Sequence, residues 1–298
     1  MNSKVSVNAK TLPDEELFYG HKACAGCGGS IAVRLALKVL GSRVFVVVPA
    51  NCMSAVSFLY PVMPFFVNAL GASFPSTGAV LSGIEAGAKA QGLEDYYVVG
   101  FAGDGGTADI GLQALSGAID RKDRVIYICY DNEAYMNTGV QESGLTPYGA
   151  KTTTSPAGAN QLGSMTVKKN MFEIVAAHNI SYAATASIGY PQDFMNKVAK
   201  AKQNQGMSYI HVMAPCPTGW SYSPDITVAL GKEAVDCGLW YLAEYENGNF
   251  KLNRDSKEFG SVEKYLLQQG RFKHLTSVNI EMIERQRDAM WEKIRTKW

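Results

Sequence analysis

The sequence predicts an α/β protein built on a doubly wound, mostly parallel sheet. Strand-like and helix-like hydrophobic patterns alternate through the first three quarters of its 298 residues. Several strand patterns are continuous runs of β-branched and aromatic residues, which is typical of strands covered on both faces. Because strands that alternate with helices of about 10–15 residues are joined by right-handed crossovers, the sheet should be parallel.

The predicted elements follow one another in a regular order. In the first helix, at 30–41, Ile31, Leu35 and Val39 fall on one face, and Gly41 ends the pattern. The strands are predicted at 44–48, 96–102, 124–130, 182–187 and 209–214. The remaining helices are predicted at 77–91, 108–120, 168–178, 191–205 and 279–298. Ligands of such a sheet bind beyond the carboxyl ends of the strands.

Charge and composition narrow the possible functions. The 28 Lys and Arg residues nearly balance the 27 Asp and Glu residues, so we do not expect a nucleic acid partner. Residues 44–84 carry no charge, but Pro49, Pro61, Pro64 and Pro75 interrupt them. No run of about 18 apolar residues survives there, so a membrane span is not expected. We expect this segment to be a wall of a cofactor site or of a subunit interface.

The two ends of the chain differ from its centre. The first 20 residues are polar and lack the apolar core of a signal peptide, so we expect a cytoplasmic protein. Between residues 251 and 298, 18 of 48 residues are charged, against 18% in the whole chain. We therefore expect a cofactor-binding domain at 1–220 and a charged C-terminal extension at 221–298 that makes subunit contacts.

A glycine-rich turn with one aspartate follows the second predicted strand. Gly103, Asp104, Gly105 and Gly106 lead into a helix, where glycines let the backbone approach a phosphate. Asp104 could simply cap the helix, but an aspartate in an anion site indicates a divalent cation between the negative groups. Magnesium often shares its oxygen ligands between carboxylates and phosphates. Asn132, at the end of the next strand, can supply a second oxygen, so the pair predicts a magnesium–diphosphate site.

The cysteines fall into two groups. Four lie in turns or directly after strands: Cys24, Cys27, Cys52 and Cys216. Thiolates that converge from such loops predict a metal site, and their spacing leaves both zinc and an iron–sulfur cluster open. Cys129 lies within an apolar strand and Cys237 in a mixed stretch, so we expect both to be packed thiols.

These motifs together resemble the β subunit, the thiamine-binding subunit, of the 2-oxoacid:ferredoxin oxidoreductases, and the pyruvate enzyme most closely. The similarity extends from His21 to about Trp220. It rests on His-Lys-Ala-Cys-Ala-Gly-Cys-Gly from His21, Asn51-Cys52, Gly103-Asp-Gly-Gly, the run from Tyr130 to Gly139, and Ala-Pro-Cys-Pro-Thr-Gly-Trp ending at Trp220. The resemblance implies a thiamine diphosphate-binding fold.

The resemblance also implies roles for individual residues. The magnesium ligands would be Asp104, Asn132 and the carbonyl oxygen of Ala134. The [4Fe–4S] ligands would be Cys24, Cys27, Cys52 and Cys216. Asn137 would contact the substrate, and thiamine diphosphate would contact Gly29, Cys52, Gly103, Asp104, Gly105, Gly106, Asn132, Ala134, Asn137 and Thr138. Single-chain pyruvate enzymes often carry Glu at position 29, so Gly29 is expected to offer only its backbone.

The implied activity is oxidation of pyruvate or a related 2-oxoacid, with coenzyme A, to acyl-CoA and CO2, and transfer of the electrons through the cluster to ferredoxin. An oxalate, branched-chain or aryl 2-oxoacid substrate is an alternative within the family. A non-redox thiamine decarboxylase and a zinc-stabilised assembly module are alternatives outside it.

The resemblance implies partner subunits as well. Thiamine needs a carboxylate against its aminopyrimidine ring, and Glu85 and Glu133 lie in no matching motif for that role. The family implies that an α subunit supplies it, alongside a γ and a ferredoxin-like δ subunit. His21 is expected to be a structural hydrogen-bond partner, and Trp220 a packing residue.

Overall fold

The computed structural model describes residues 6–14, 16–158 and 160–297. Its main sheet has eight strands: β1 (Val44–Pro49), β2 (Asn68–Ala72), β3 (Tyr97–Gly103), β4 (Ile126–Asp131), β7 (Tyr182–Ser187), β8 (Ser208–Met213), β9 (Ala243–Glu246) and β10 (Asn249–Leu252). A separate hairpin joins β5 (Ala157–Gly158) to β6 (Gln161–Leu162). The main sheet runs in the order β10-β9-β7-β8-β4-β3-β1-β2, and its last six strands are parallel.

The helices cover both faces of this sheet. They are α1 (Gly28–Leu40), α2 (Cys52–Ser57), α3 (Thr77–Ala90), α4 (Asp104–Ala108), α5 (Leu112–Arg121), α6 (Met171–Ala176), α7 (Pro191–Gln203), α8 (Pro217–Trp220), α9 (Thr227–Asp236), α10 (Val262–Leu267) and α11 (Ser277–Lys297). The predicted α/β fold with a mostly parallel sheet is confirmed. No helix among the described residues is both long and apolar enough to cross a membrane.

Successive side chains of the central strand β4 point to opposite faces of the sheet, and both faces are covered, which explains why its sequence is apolar throughout. In β4, Ile126, Ile128 and Tyr130 pack into the core that includes α1 and α7. Tyr127 and Cys129 point to the opposite core, which includes α5 and α6. Both faces are therefore buried, as the continuous hydrophobic run predicts.

The helix predicted at 108–120 is present from Leu112 onward, but it is interrupted at residues 109–111 near its predicted start. The chain turns into α4 directly at Asp104, breaks at Asp109, and resumes as α5 at Leu112. A Cβ atom on Gly111 would lie 2.0 Å from the carbonyl oxygen of Gly106, so the break brings these two backbones into contact. The sequence analysis also missed β2, which forms one edge of the sheet within the uncharged segment.

The helix predicted at 168–178 begins later, at Met171, because the side chain of Asn170 caps it by accepting a hydrogen bond from the Glu173 backbone N–H. The preceding Lys168 and Lys169 lie outside the helix and pair with carboxylates.

The C-terminal quarter is joined to the main sheet. Strand β9 pairs antiparallel with β7, and β10 pairs with β9. The predicted terminal helix is present as α11, with Ile280 and Ile283 buried, and Trp298 lies outside the described residues. The boundary at residue 220 and the subunit contacts of 221–298 stay predictions.

Candidate functional site

Four loops meet at one edge of the sheet, because the parallel strands β1, β3, β4 and β8 all end there. The loop after β1 carries Asn51 and Cys52, and the turn after β3 begins at Gly103. The loop after β4 contains Asn132, and the loop after β8 contains Cys216. The Asn51 side chain ties the first two loops together by donating a hydrogen bond to the carbonyl oxygen of Phe101 at 2.9 Å.

Three oxygen-bearing groups converge at this edge: Asp104, Asn132 and Ala134. One terminal atom of the Asn132 amide lies 3.0 Å from Asp104 Oδ1 and 2.9 Å from the Ala134 carbonyl oxygen. With nitrogen at that position the amide donates two hydrogen bonds, and with oxygen there three oxygens face one another without a proton between them. Adjacent oxygens on an octahedral Mg²⁺ ion are about 2.9 Å apart, given Mg–O distances of about 2.0–2.1 Å. The donor set therefore fits magnesium.

The carboxylate of Asp104 is 2% exposed and accepts a hydrogen bond from Ser143 Oγ. Burial and the negative charge of Asp131 raise the pKa of Asp104 well above its usual range. The Ser143 hydrogen bond and the positive charge of Lys168 act in the opposite direction. A divalent cation against this carboxylate would lower its pKa in the same way.

Glycine at position 105 lets an aromatic ring cover the turn. A Cβ atom on Gly105 would lie 2.1 Å from the Tyr135 ring. Tyr135 donates its hydroxyl proton to Asp109 Oδ2 at 2.8 Å, and the same oxygen accepts the Gly144 N–H at 2.9 Å. Because Asp109 lies at the break between α4 and α5, this break holds the 132–139 loop over the turn.

The carboxylates on either side of Asn132 are bound by three basic residues, of which His211 and Arg271 are buried and Lys168 is half-buried. Asp131 Oδ2 lies 2.9 Å from His211 Nε2 and 2.7 Å from Lys168 Nζ. Burial alone would raise the pKa of Asp131, but Lys168 and His211 lower it to about 2. Glu133 accepts hydrogen bonds from Lys168 at 2.7 Å and from Arg271 at 2.5 Å. This ion-pair network fixes the loop after β4.

Sequence reasoning missed the basic residues of this network. His211 gave a usable signal, because it is a polar residue inside the otherwise apolar strand β8. Lys168 was assigned to the start of a helix instead. Arg271 has no local signal, because only the fold brings the C-terminal segment to Glu133.

The four loop cysteines act on one another electrostatically. Burial raises the pKa of Cys52 to about 12, and Cys216 and Cys27 add to the increase. Burial likewise raises the pKa of Cys216 to about 11, with contributions from Cys27 and Cys24. Such thiols bind a metal as thiolates and release their protons to solvent when the metal binds. The four side chains are therefore of a chemical type that can ligate a metal.

Cys129 and Cys237 are both buried. Cys129 lies within β4, and Cys237 directs its thiol to the carbonyl oxygen of Ala234 at 3.6 Å. Across residues 6–14, 16–158 and 160–297, no group of three or more His, Cys, Asp or Glu side chains is arranged to hold a metal ion. The four-cysteine ligand set stays a prediction.

The other predicted contact residues lie around the same edge. Asn137 and Thr138 are exposed in the turn after Ala134, and Thr138 donates a hydrogen bond to Gln141 at 2.5 Å. Gly29 is buried at the start of α1, where a Cβ atom would lie 3.1 Å from the Tyr130 ring. Their contacts to a cofactor or substrate stay predictions.

Of the two glutamates considered as activating carboxylates, Glu133 has both oxygens bound by other side chains, whereas the carboxylate oxygens of Glu85 accept no hydrogen bond from the described residues. Glu85 is buried in α3, 2.8 Å from Lys89 Nζ, and Glu133 is bound by Lys168 and Arg271. The His21 ring stacks on Phe18 with centroids 4.8 Å apart, and its Nδ1 accepts the Ala23 N–H at 3.2 Å.

The fold is that of a thiamine diphosphate-binding protein. A family model described as the thiamine pyrophosphate enzyme C-terminal TPP-binding domain matches residues 62–212. The chain belongs to the family of 2-oxoacid oxidoreductase β subunits that includes pyruvate synthase subunit PorB of Methanothermobacter thermautotrophicus. It is 50% identical to that protein over 285 residues, which cover 95% of this chain and 99% of the relative. The resemblance found in the motifs is confirmed.

Two further comparisons agree. The chain is 47% identical over 293 residues to ketoisovalerate oxidoreductase subunit VorB of Pyrococcus horikoshii, covering 96% of this chain and 94% of the relative. The solved structure of 2-oxoglutarate:ferredoxin oxidoreductase from Magnetococcus marinus matches with a TM-score of 0.57 at 21% identity. That match covers 73% of this chain and 69% of the other, and it supports the fold alone.

Proposed function

We propose that the chain is the thiamine-binding subunit of a pyruvate:ferredoxin oxidoreductase. The complex would convert pyruvate and coenzyme A to acetyl-CoA and CO2 and pass two electrons, one at a time, to ferredoxin. The observation that carries the proposal is the convergence of the Asp104, Asn132 and Ala134 oxygens at the edge of the sheet where the loops of Cys52 and Cys216 also begin, with the Cys27 loop bound there through the Gly28–Pro215 hydrogen bond. Neither a non-redox decarboxylase nor a zinc-stabilised module accounts for both features.

The residues at the end of β3 and β4 would bind the magnesium–diphosphate end of the cofactor. Asp104, Asn132 and the Ala134 carbonyl oxygen would hold the ion, and the backbone of Gly105 and Gly106 would lie against the diphosphate. Thiamine diphosphate supplies the nucleophilic chemistry at the 2-oxo carbon, and an iron–sulfur cluster accepts single electrons. The role of this part of the chain is to bind the cofactor and fix its orientation.

The four loop cysteines would hold a [4Fe–4S] cluster next to that site. A Cβ atom on Gly103 would lie 3.9 Å from Asn51 Cβ, so the loop that carries Cys52 lies beside the turn that carries Asp104, and this supports neighbouring sites. A short separation suits electron transfer between the two cofactors. Cys27, Cys52 and Cys216 are half-buried and Cys24 is exposed, so this chain alone would shield the cluster from water only in part.

The remaining parts of the active site would come from partner subunits, with the α subunit supplying the activating glutamate. A row of exposed apolar side chains in the uncharged segment supports this: Leu59, Tyr60, Met63, Phe66 and Leu70. Tyr60 is 96% exposed, and a continuous apolar patch on a protein surface usually marks an interface. The γ and δ subunits and a cytoplasmic location belong to the same proposal.

A branched-chain 2-oxoacid is the second candidate substrate. The identity to the ketoisovalerate oxidoreductase subunit, 47%, is close to the 50% identity to the pyruvate synthase subunit. Because substrate-contacting residues would lie partly on other chains, this subunit alone does not separate the two substrates.

The test is a steady-state assay of the anaerobically purified complex with coenzyme A and ferredoxin. The panel is pyruvate, 3-methyl-2-oxobutanoate, oxalate and phenylglyoxylate. We expect the highest kcat/KM with pyruvate, together with four irons bound per copy of this chain beyond those of the other subunits. Decarboxylation without ferredoxin reduction would contradict the proposal, and a preference for 3-methyl-2-oxobutanoate would replace the substrate.

A further inference from the structure

Arg271 connects the C-terminal segment to two loops. One is the loop after β4, which contains the candidate magnesium ligands and is called the magnesium loop here. The other is the loop after β8, which contains Cys216 and is called the Cys216 loop. Arg271 lies in the short turn Gly270–Phe272 after α10 and is 5% exposed. Its Nη2 donates a hydrogen bond to Glu133 Oε2 at 2.5 Å, and Glu133 lies between Asn132 and Ala134 in the magnesium loop. Its guanidinium carbon lies 3.8 Å from the ring centroid of Trp220.

Trp220 in turn joins the two loops to each other. Its indole N–H donates to the carbonyl oxygen of Asn132 at 2.8 Å, and its backbone N–H donates to the carbonyl oxygen of Cys216 at 2.9 Å. The loops also pack tightly, because a Cβ atom on Gly219 would lie 2.1 Å from the sulfur of Met136. A displacement of one loop would therefore move the other.

Both the backbone and the side chain of Glu133 are held: its N–H donates to Asp131 Oδ1 at 2.9 Å, and its carbonyl oxygen accepts from Thr146 Oγ1 at 2.8 Å. Its φ of +67° is in the left-handed region, which residues other than glycine rarely adopt. Lys168 binds one carboxylate oxygen and Arg271 binds the other. A buried ion pair contributes little net stability, since desolvation offsets the attraction. The ion pairs of Glu133 with Lys168 and Arg271 therefore act mainly by selecting one conformation of the loop.

The C-terminal segment itself is anchored at the same place. Gly270 donates its N–H to the carbonyl oxygen of Ser221 at 3.1 Å, and a Cβ atom on Gly270 would lie 2.7 Å from Ser221 Cβ. The Lys151 N–H donates to the carbonyl oxygen of Arg271 at 3.0 Å. The backbone of Arg271 is held on both sides, so its guanidinium is fixed before either loop binds a cofactor.

We propose that Arg271 is a positioning residue that sets the geometry of the magnesium loop and of the Cys216 loop together. The inference rests on the proposed function, because it assigns magnesium to one loop and the cluster to the other. A planar guanidinium can pair with Glu133 through its edge while its face stacks on Trp220, which an ammonium group cannot do. Loss of residues that orient metal ligands typically lowers metal affinity about 10–100-fold.

The test uses the assembled complex with Arg271→Met and Arg271→Lys. Two quantities are measured: the Mg²⁺ concentration that supports half-maximal thiamine diphosphate binding, and the midpoint potential of the cluster by EPR-monitored titration. We expect Arg271→Met to raise the Mg²⁺ requirement about 10–100-fold and to shift the potential while the iron content stays at the wild-type value. Arg271→Lys should restore much of the Mg²⁺ affinity through Glu133 but leave the potential shifted.

Arg287→Met is the matched control. Arg287 is another largely buried C-terminal arginine that stacks on an aromatic ring, Phe259, and donates to the carbonyl oxygen of Cys237, away from both loops. It should lower thermal stability without changing either quantity. Equal effects of the two Met variants, or a variant at Arg271 with wild-type values, would overturn the inference. If the Arg271→Met complex does not assemble, the midpoint potential of the cluster in Arg271→Lys tests the inference, and a wild-type potential there would overturn it. A wild-type complex that binds no thiamine diphosphate would instead overturn the proposed function.

Discussion

Gly28 donates its backbone N–H to the carbonyl oxygen of Pro215 at 3.1 Å. A Cβ atom on Gly28 would lie 2.6 Å from the carbonyl carbon of Ala214 and 2.7 Å from the Pro215 oxygen, so glycine is required for this contact. Gly28 follows Cys27 directly, and Pro215 precedes Cys216. The close approach of these two backbones therefore brings the loops that carry Cys27 and Cys216 together.

Replacing this glycine should separate the two loops. We expect Gly28→Ala to lose the cluster from the purified complex, because the added methyl group meets backbone atoms that cannot move aside. The measurement is iron and sulfide content after anaerobic purification. Gly83→Ala is the control, because this helical glycine in α3 has no atom within 4 Å of its Cβ position and should keep full iron content.

Each of the four loop cysteines should be needed for the cluster, whereas the two buried cysteines should not. Each iron of a cubane cluster takes one thiolate, so Cys216→Ser should lose the four-iron EPR signal. Cys129→Ala and Cys237→Ala should cost only packing, about 1 kcal/mol, and keep the signal. Retention of the signal in Cys216→Ser and its loss in Cys237→Ser would place the fourth ligand in the C-terminal region.

Removing the charge of Asp104 should abolish thiamine diphosphate binding and leave the cluster in place. The cofactor's diphosphate would then face neutral donors only, which weakens the binding free energy by several kcal/mol. Since about 1.4 kcal/mol corresponds to a tenfold loss in affinity, this loss is large enough to abolish binding. Asp104→Asn keeps the shape of the side chain, and Asp120→Ala, an exposed carboxylate of α5, is the control. Unchanged thiamine content of Asp104→Asn after gel filtration would contradict the assignment.

The exposed apolar row should be a contact surface for a partner subunit. Met63→Ser should weaken assembly with the α subunit, because it removes apolar area from that surface. Met282→Ser is matched to it, since Met63 and Met282 are 58% and 48% exposed, and it lies on α11 instead. Assembly is measured by sedimentation velocity. A soluble, fully active monomer of this chain would refute the need for a partner.

An ion pair at the N-terminal side should make stability depend on pH. Hydrogen bonds from Arg34 are the main cause that lowers the pKa of Glu16 to about 2, and Lys38 adds to it. Because the folded pKa lies below the usual value of 4.5, the stabilisation is complete above pH 4.5 and is lost as the pH falls toward 2.

The difference in unfolding free energy between wild type and Glu16→Gln should therefore shrink from pH 7 to pH 3. For a pair this close to solvent we expect at most about 1 kcal/mol at pH 7. Urea denaturation of the isolated chain at low concentration gives the difference. Arg34→Gln should produce most of the same loss, because Lys38 still pairs with Glu16, and adding Arg34→Gln to Glu16→Gln should cause no further loss. A pH-independent difference would show that the carboxylate charge does not matter.

Local patterns in the sequence predicted five of the eight strands of the main sheet, the longer helices and the positions of the loop residues. Parallel strands end at one edge, so Asp104 and Asn132 could be expected to meet without knowledge of their side-chain geometry. Only the tertiary structure decided that the helix after Asp104 breaks at Asp109, because the break depends on Tyr135 packing over the turn. It also decided which residues hold the magnesium loop. Arg271 is 138 positions from Glu133, and no local period or propensity encodes a contact that forms only when the C-terminal segment packs against the sheet.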